Sequence, residues 1–208
     1  MLPIRLATLA TILVLTACSE QPKVPAAAPV QEAAPAAEEA PVLAPVPMAY
    51  EEPVVGGARM AAGNDMLSNL RKSSDHTILV SALESTGLDK VIQDSGAVTV
   101  FAPTNSAFER FPGGYQDLIK PGQRERLLRV LSYHVLPTRL DADAMSARVL
   151  AGNGSAMLET VEGGSLKATV GNGAAMVVDA NGNSARITVP NVQHSNGVVY
   201  VIETVLTP

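Results

Sequence analysis

Cys18 is the one cysteine of this 208-residue chain, and its neighbours suggest a covalent modification. It follows Leu15-Thr16-Ala17, and the four residues match Leu-x-[Ala/Gly]-Cys, the bacterial lipobox. In that motif the cysteine sulfur is acylated and the cysteine becomes the new N-terminus. A lone cysteine has no partner within the chain for a disulfide bond, which leaves lipidation or an incidental leader cysteine. We expect lipidation at Cys18.

Residues 1–17 have the composition of a signal peptide. Arg5 is their one charged residue, and the apolar run 6–15 follows it. A bilayer-spanning helix needs about 20 apolar residues, so the run is too short to span, whereas it suits the central region of a signal peptide. Leu15 at position −3 fits ordinary cleavage poorly, because that position prefers a small residue. The sequence therefore predicts a lipoprotein signal peptide over 1–17.

Residues 18–58 are rich in proline, alanine and glutamate and carry no sustained apolar period. Proline fixes φ and lacks an N–H donor, so neither a helix nor a strand ladder propagates through such a segment. Its small apolar side chains do not offset the entropy lost on ordering. We expect a disordered tether, which as a flexible coil would span roughly 35 Å on average.

The formal net charge of −5 is concentrated before residue 58, where six glutamates face two basic residues. The remainder of the chain is close to neutral. A domain that binds nucleic acid needs a basic patch to displace counterions from phosphates, so we expect no nucleic-acid partner. The chain has no tryptophan and only 3% aromatic residues, which means that the core must be largely aliphatic.

The sequence contains no pattern typical of an enzyme or a cofactor site. The three histidines, His76, His134 and His194, lack metal-ligand spacing. Residues 179–190 begin like a calcium-binding loop but lack the required Gly and Glu, so we predict a hairpin turn there. Nucleophile-elbow, Walker and dinucleotide-binding patterns do not occur. Ser, His and Asp residues are available for a hydrolytic triad, but nothing in the sequence brings them together.

The thirty positions 110–139 hold six basic residues: Arg110, Lys120, Arg124, Arg126, Arg129 and Arg139. The simplest interpretation is a solvated helix face. The more specific one is a patch for anionic glycans, lipopolysaccharide phosphates or the acidic tether itself. Arg124, Arg126 and Arg129 are the candidate interaction residues of this patch.

Hydrophobic periodicity predicts helices first and strands afterwards. The predicted helices cover 64–72, 76–85, 88–92, 122–133 and 140–147. In the helix 122–133, the expected buried stripe is Leu127, Leu128, Leu131 and Val135.

The strand 97–102 is stopped by Pro103, and Thr104 then caps a short helix. Further strands are predicted at 157–161, 166–170, 175–178, 186–189 and 198–202. Asn181-Gly182 indicates a type I′ hairpin turn between two of them. Helices followed by a hairpin-linked antiparallel sheet predict a single α+β domain over 59–208.

Two segments carry a resemblance to a known family. Residues 99–108 read TVFAPTNSAF, and residues 196–202 read NGVVYVI, followed by Val205-Leu206. With Tyr133-His134 between them, they resemble the signature blocks of the fasciclin (FAS1) domain, although Tyr200 stands where many members have His. The resemblance implies a β-wedge in which the two blocks lie together, with short helices packed around it. It assigns a mainly structural role to ten residues: Thr99, Phe101, Pro103, Thr104, Asn105, Phe108, Asn196, Gly197, Val198 and Ile202.

Tyr133 and His134 have two interpretations. In animal members of the family this neighbourhood is linked to integrin-type adhesion, so the resemblance implies a candidate interaction epitope. The alternative is structural: the two side chains end the long helix and make hydrogen bonds inward, because a buried hydroxyl or imidazole needs such partners.

Together these features predict a non-catalytic fasciclin-domain lipoprotein, without cofactors, held at the bacterial cell envelope by Cys18. In a Gram-negative host the anchor would lie in the outer membrane, with the domain periplasmic or surface-exposed. The expected role is adhesion or interaction with a cell surface or matrix, through an unidentified protein or an anionic glycan. A carrier that holds a small apolar ligand in an aliphatic pocket is the alternative, and an envelope hydrolase is a third.

The lipobox interpretation predicts the behaviour of Cys18→Ala. The variant should lose fatty-acid labelling, because the acylated sulfur is gone, and it should be released from the membrane or mislocalised. Labelling of cells with a fatty acid, combined with fractionation, measures both effects. Retention of the variant in the membrane at the wild-type level would contradict lipidation at Cys18.

Overall fold

The computed structural model describes residues 52–120, 122–171 and 173–208. The predicted signal peptide, lipobox and most of the predicted tether lie outside these residues. Within them, the longest helices have ten residues, and none is long and apolar enough to cross a membrane.

Short helices make up much of the first half of the domain. They are α1 (Met66–Leu70), α2 (Thr77–Thr86), α3 (Leu88–Asp94), α4 (Asn105–Glu109), α5 (Gly114–Leu118), α6 (Arg124–Tyr133) and α7 (Ala142–Ala151), with a 3-10 turn at Ser74–His76. Side-chain oxygens of Asp65, Thr104 and Asp141 cap α1, α4 and α7 by accepting a backbone N–H three residues on. Gly87, with φ of 83°, ends α2 in the left-handed conformation that glycine adopts without strain. The predicted helices are therefore confirmed in position.

The strands are β1 (Val54–Val55), β2 (Ala58–Arg59), β3 (Val98–Pro103), β4 (Val135–Leu136), β5 (Ser155–Glu159), β6 (Ser165–Gly171), β7 (Ala174–Val178), β8 (Ser184–His194) and β9 (Gly197–Ile202). β1 and β2 form a small hairpin. The other described strands form one seven-stranded sheet in the order β4-β3-β9-β8-β7-β6-β5. The N–H of Val161, just after β5, donates to the carbonyl of Val135 in β4 at 2.8 Å. This bond links the two edges of the sheet and nearly closes it into a wedge, as the fold prediction expected.

The two signature blocks lie side by side at the centre of the sheet. β3 and β9 pair in parallel from Val98↔Gly197 to Pro103↔Ile202, whereas the other strand pairs are antiparallel. The sequence predicted the antiparallel hairpins after residue 149 but not the parallel direction of this central pair. A parallel pair needs a long crossover, and α4 to α7 with β4 to β8 supply it. All six residues of each strand are buried, because both faces of the pair are covered.

The core is divided between the two faces of this central pair. One cluster packs α1 to α6 against alternate residues such as Val100, Val199 and Val201. The second packs α7 and β5 to β8 against Phe101, Tyr200 and their neighbours on the other face. Each fully buried aliphatic side chain contributes about 1.5–3 kcal/mol relative to exposure. The strand alternation therefore joins two cores through one pair of strands.

The folded chain begins earlier than the sequence indicated. The tether was predicted to reach residue 58, but Val55 and Ala58 of the β1–β2 hairpin are buried in the first core cluster. The carbonyl of Gly56 also accepts the N–H of Ser74 at 3.0 Å. Strands of two residues carry no readable period, which is why the sequence placed them in the tether.

The buried stripe of α6 also differs from the prediction. Val130 is buried, whereas Leu128 is 39% exposed. Leu127 and Leu131 are buried as expected, and Val130, three residues after Leu127, lies on the same side of the helix. Leu128 lies about 100° further round the helix axis than Leu127, and so outside the buried stripe. Val135 is buried too, but in β4 and not in the helix.

The β7–β8 turn is a hairpin turn as predicted, but it is not of type I′. It spans residues 179–183, and Asn181 does not have the positive φ that a type I′ turn requires. Oδ1 of Asp179 instead accepts the N–H groups of Asn181 and Asn183, each at 2.9 Å. The N–H of Gly182 also donates to the carbonyl of Asp179 at 3.1 Å, so the carboxylate at the start of the loop reinforces a backbone turn of another type.

Candidate functional site

Tyr133 ends α6 with its side chain fully buried. Its hydroxyl donates to the carbonyl of Ser165 in β6 at 2.7 Å and accepts the N–H of Ala180 in the β7–β8 turn at 3.1 Å. A Cβ at Gly164 would lie 2.8 Å from the ring, so glycine there permits the ring to approach the backbone. Burial raises the pKa of the Tyr133 hydroxyl. The residue thus joins α6 to two elements of the second core.

His134 is buried beside it and uses both ring nitrogens. Nδ1 lies 2.7 Å from the carbonyl oxygen of Val130, and Nε2 lies 3.0 Å from the backbone N of Leu206. A carbonyl only accepts and an N–H only donates, so we assign the proton to Nδ1 and the lone pair to Nε2. The ring is therefore neutral, and burial lowers the pKa of His134 to about 4.

Asp179 completes this arrangement from the β7–β8 turn. Its carboxylate accepts the N–H of Thr207 at 3.0 Å and the Thr207 hydroxyl at 3.1 Å, besides the bonds within its own turn. Burial alone would raise the pKa of Asp179, but hydrogen bonds from Asn183 and Thr207 outweigh it and lower the pKa. His134 and Asp179 together hold residues 203–208, which we call the closing segment.

The signature residues with polar side chains also engage the domain itself. The hydroxyl of Thr99 donates to the carbonyl of Thr138 and accepts the N–H of Leu140. Asn105 accepts the N–H of Ile78 at the start of α2, and Asn196 accepts that of Met66 at the start of α1. A Cβ at Gly197 would lie 2.1 Å from the carbonyl oxygen of Val98, which only glycine permits. Of the remaining signature residues, Thr104 caps α4, and Phe101, Pro103, Phe108, Val198 and Ile202 are buried.

Among the described residues, the histidines and serines do not form a catalytic or metal-binding cluster at the surface. No cluster of three or more His, Cys, Asp or Glu side chains there has the arrangement of a metal site. The Ser73 hydroxyl lies 2.9 Å from Nδ1 of His76, and both side chains are buried. His194 is buried as well, with its Nδ1 2.9 Å from the side-chain amide of Asn69.

Two adjoining depressions of about 540 and 520 Å³ lie where α4, the loop after it and α6 meet the closing segment. Both are lined by Phe111, Arg126 and Thr207; Arg110 adds to one and Arg129 to the other. We call this pair of depressions the arginine groove. The guanidinium carbon of Arg126 lies 5.9 Å from the centre of the Phe111 ring, which keeps this cation over an apolar surface.

Each arginine of the groove is paired with a carboxylate or a backbone carbonyl of the domain. Arg126 is 3.4 Å from a carboxylate oxygen of Asp117, and Arg129 is 3.2 Å from one of Glu162. Arg110 donates to the carbonyl of Glu203 at 2.6 Å. The Arg126 and Arg129 side chains are at least half exposed in these pairs, and ion pairs at the surface contribute about 0–1 kcal/mol.

The basic residues predicted as one patch lie at three places. Arg110, Arg126 and Arg129 line the arginine groove. Lys120 and Arg124 border a separate depression beside α5. Arg139 lies apart from both, where it donates to the carbonyl of His194 and to the side chain of Gln193. Sequence proximity alone did not show this division, and it missed Phe111 and the closing segment as walls.

A second groove, entirely different in character, opens between α7 and β6, β7 and β8. Its volume is about 270 Å³. Its lining is mainly aliphatic: Met145, Val149, Leu150, Ala168, Val170, Ala175, Met176 and Ile187, with Ser146 and Thr169. Leu150 is 77% exposed and Val170 62%. We call it the apolar groove; the sequence suggested an aliphatic pocket but named none of these residues.

Comparison with known proteins identifies the family. The family model described as the fasciclin domain matches residues 74–208. Protein sll1483 of Synechocystis is 30% identical over 151 residues, covering 72% of this chain and 71% of that protein. The pig transforming growth factor-beta-induced protein ig-h3 is 31% identical over 139 residues, or 67% of this chain, but this chain spans only 18% of its length. This chain belongs to the fasciclin domain family, which confirms the resemblance.

A solved structure is also similar. It is a FAS1 domain pair from the insect cell adhesion molecule fasciclin I, with a TM-score of 0.48 and 20% sequence identity. The alignment covers 61% of this chain and 43% of that one.

Removal of one hydroxyl tests the role of Tyr133. Tyr133→Phe should lower the free energy of unfolding by about 1–3 kcal/mol, because it removes two partly buried hydrogen bonds, to the Ser165 carbonyl and from the Ala180 N–H, that contribute about 0.5–1.5 kcal/mol each. Urea unfolding measures the change. Tyr115→Phe is the matched control, since its ring packs on Phe108 but its hydroxyl takes no part in the described hydrogen bonds. Equal stability of both variants and the wild type would contradict the assignment.

Proposed function

We propose that this chain is a lipid-anchored, non-catalytic protein of the bacterial envelope that mediates adhesion by binding an anionic polymer in the arginine groove. Family membership supports the module, and the lipobox at Cys18 supports the anchor. The observation that carries the proposal is the groove itself. Its three arginines are at the surface, whereas Tyr133 and His134 are buried and engaged inside the domain.

The chemistry of the groove favours carboxylate, phosphate or sulfate groups. A guanidinium presents a planar fork of N–H donors that pairs with such anions through two parallel hydrogen bonds. Arg110, Arg126 and Arg129 are distributed along two adjoining depressions, which suits repeated charges on an extended polymer better than one small anion. Glu125 and Glu203 also line the groove, so the recognition depends on geometry more than on net charge.

Display on a membrane supports the same role. Lipid at Cys18 would fix one end of the chain, and the proline-rich segment would give the domain reach. Many anchored copies that each bind one polymer weakly bind it strongly together, because the second contact is intramolecular. A modest affinity per domain is therefore enough for adhesion.

Binding of dextran sulfate tests the groove, with neutral dextran as the uncharged polymer. Arg126→Ala with Arg129→Ala should weaken binding by about tenfold or more, since each charge-assisted bond contributes about 1.5–3 kcal/mol. Binding of the wild type should also weaken as salt rises. Biolayer interferometry on immobilised polymer measures both effects.

The control removes the same charge elsewhere. Arg148→Ala with Arg186→Ala changes two exposed arginines that do not line the groove, and its affinity should stay near the wild-type value. Binding that ignores salt, or an equal loss in both double variants, would overturn the arginine groove as the site.

The apolar groove supports a second candidate function, that of a carrier for a small aliphatic ligand. Its volume of about 270 Å³ is close to the lower end of the range of small-molecule pockets, about 300–1,000 Å³. Flexible methionines at its lining suit ligands of variable shape. No comparable reason favours the hydrolase alternative, because the Ser73–His76 pair is buried.

Displacement of a fluorescent fatty acid by dodecanoate tests the carrier. Leu150→Asp should reduce affinity for the fluorescent probe about tenfold or more, because a charge at the mouth of the groove opposes an apolar ligand. Met157→Asp is the control: Met157 is 64% exposed, comparable with Leu150 and Val170, but it does not line the groove. Absence of saturable binding, or the same loss in both variants, would exclude this function.

A further inference from the structure

The closing segment, residues 203–208, is a wall of the arginine groove as well as a cover of the core. Thr207 lines both depressions, Glu203 and Val205 line one, and Pro208 lines the other. Leu206 is fully buried against the second core cluster. The shape of the groove therefore depends on whether this segment stays in place.

The segment follows β9 but leaves the sheet, and two titratable side chains take over as acceptors. The N–H of Leu206 donates to Nε2 of His134 at 3.0 Å. The next N–H, that of Thr207, donates to the carboxylate of Asp179 at 3.0 Å, and the Thr207 hydroxyl donates to the same oxygen at 3.1 Å. The adjacent N–H groups of Leu206 and Thr207 thus donate to His134 and Asp179, whose ability to accept a hydrogen bond changes with pH.

Protonation has a definite consequence at each acceptor. A proton on Nε2 of His134 converts it into a donor, which would then face the N–H of Leu206 directly. A proton on Asp179 removes the negative charge and weakens its bonds to Thr207. The N–H groups of Leu206 and Thr207 have no second acceptor among the described hydrogen bonds. Bonds that do not titrate remain, from Arg110 to the Glu203 carbonyl and from Glu203 N–H to the Arg186 carbonyl. The exposed side-chain amide of Asn181 also donates to the Thr207 carbonyl and hydroxyl and to the Pro208 carbonyl, at 3.1–3.4 Å.

Few charges surround these groups. Asp179 faces both His134 and Tyr133 and raises the pKa of each. Glu162 also faces Tyr133, and it pairs with Arg129 of α6. The contacts of His134 with α6, β3 and the closing segment are made by uncharged groups, those of Val130, Phe101 and Leu206.

We propose that the closing segment is an acid-released wall of the arginine groove, which opens when His134 and, at lower pH, Asp179 take up protons. The effect on a bound polymer rests on the proposed function, whereas the opening itself does not. Release would remove Thr207 from both depressions and so weaken binding in acid.

The direction follows from the two protonation states. Burial holds the pKa of His134 at about 4 in the closed form, whereas a solvated imidazole titrates near 6.5. Between these values the open form binds more protons, so opening becomes up to about tenfold more favourable for each pH unit of acidification. Asp179 has a lowered pKa in the closed form, so it adds to opening only below about 3.8.

Amide hydrogen exchange of the protein tests the opening directly. After correction for the intrinsic rate, the protection factors of the Leu206 and Thr207 amides should fall by up to about tenfold per pH unit between about pH 6.5 and about pH 4.5. The Phe101 and Val199 amides of the central strands should retain higher protection throughout. Equal protection of the segment and these strands at each pH would show global unfolding only and would overturn the proposal.

Variants identify the sensor. His134→Gln keeps a side-chain acceptor and donor without the titration, so it should abolish the pH slope of Leu206 protection. His194→Gln is the matched control, because His194 is also buried with its pKa lowered to about 4 but does not contact the closing segment. Asp179→Asn should lower protection of Thr207 at every pH and leave the slope in place. A slope that persists in His134→Gln, or is lost in Asp179→Asn, would contradict the proposal.

Dextran sulfate separates this inference from the proposed function, since its sulfates stay charged over this pH range. Loss of affinity on acidification that parallels loss of Leu206 protection would support both. Absence of binding near neutral pH would refute the groove as a polymer site and leave the exchange result valid. If dextran sulfate binds but the protection of the Leu206 amide does not respond to pH, only the acid-released wall is refuted.

Discussion

The need to satisfy every polar atom of a buried Tyr133-His134 pair determines how the parts of this domain fit together. The pair lies where α6 ends, between the two cores, and its hydrogen bonds reach β6, the β7–β8 turn and the closing segment. Because an unpaired buried polar group costs about as much as a lost hydrogen bond, these elements are held in one mutual arrangement. The hydrophobic clusters provide most of the stabilisation, and this pair fixes how they are joined.

The same constraint explains which surfaces of the domain are left open to a partner. The residues that define the family form strands, helix caps and inward hydrogen bonds, as Thr99 and Asn196 show. What remains at the surface is less constrained: a groove with arginines on one part of the domain and an aliphatic groove beside α7. Members of one family can therefore share a framework and differ in what they bind.

The sequence predicted local features well and distant ones poorly. Helix caps such as Asp141, and the strands β3 and β9, depend on neighbours within a few residues, so their patterns were readable. The helix α5 and the strands β1, β2 and β4 were missed because short elements carry no period. The two grooves were missed because their walls combine segments far apart in the chain. The bond from Arg110 to Glu203, across 93 positions, is an example.

The protonation state of His134 tests the central claim most directly, and nitrogen NMR of the imidazole ring measures it. The hydrogen bonds place the proton on Nδ1 and leave Nε2 bare, and burial lowers the pKa of the ring to about 4. A resonance pair typical of the Nδ1–H tautomer that stays constant from neutral pH to about pH 5 would agree with it. A ring protonated at Nε2, or one that titrates near 6.5 in the folded protein, would contradict the arrangement on which the account depends.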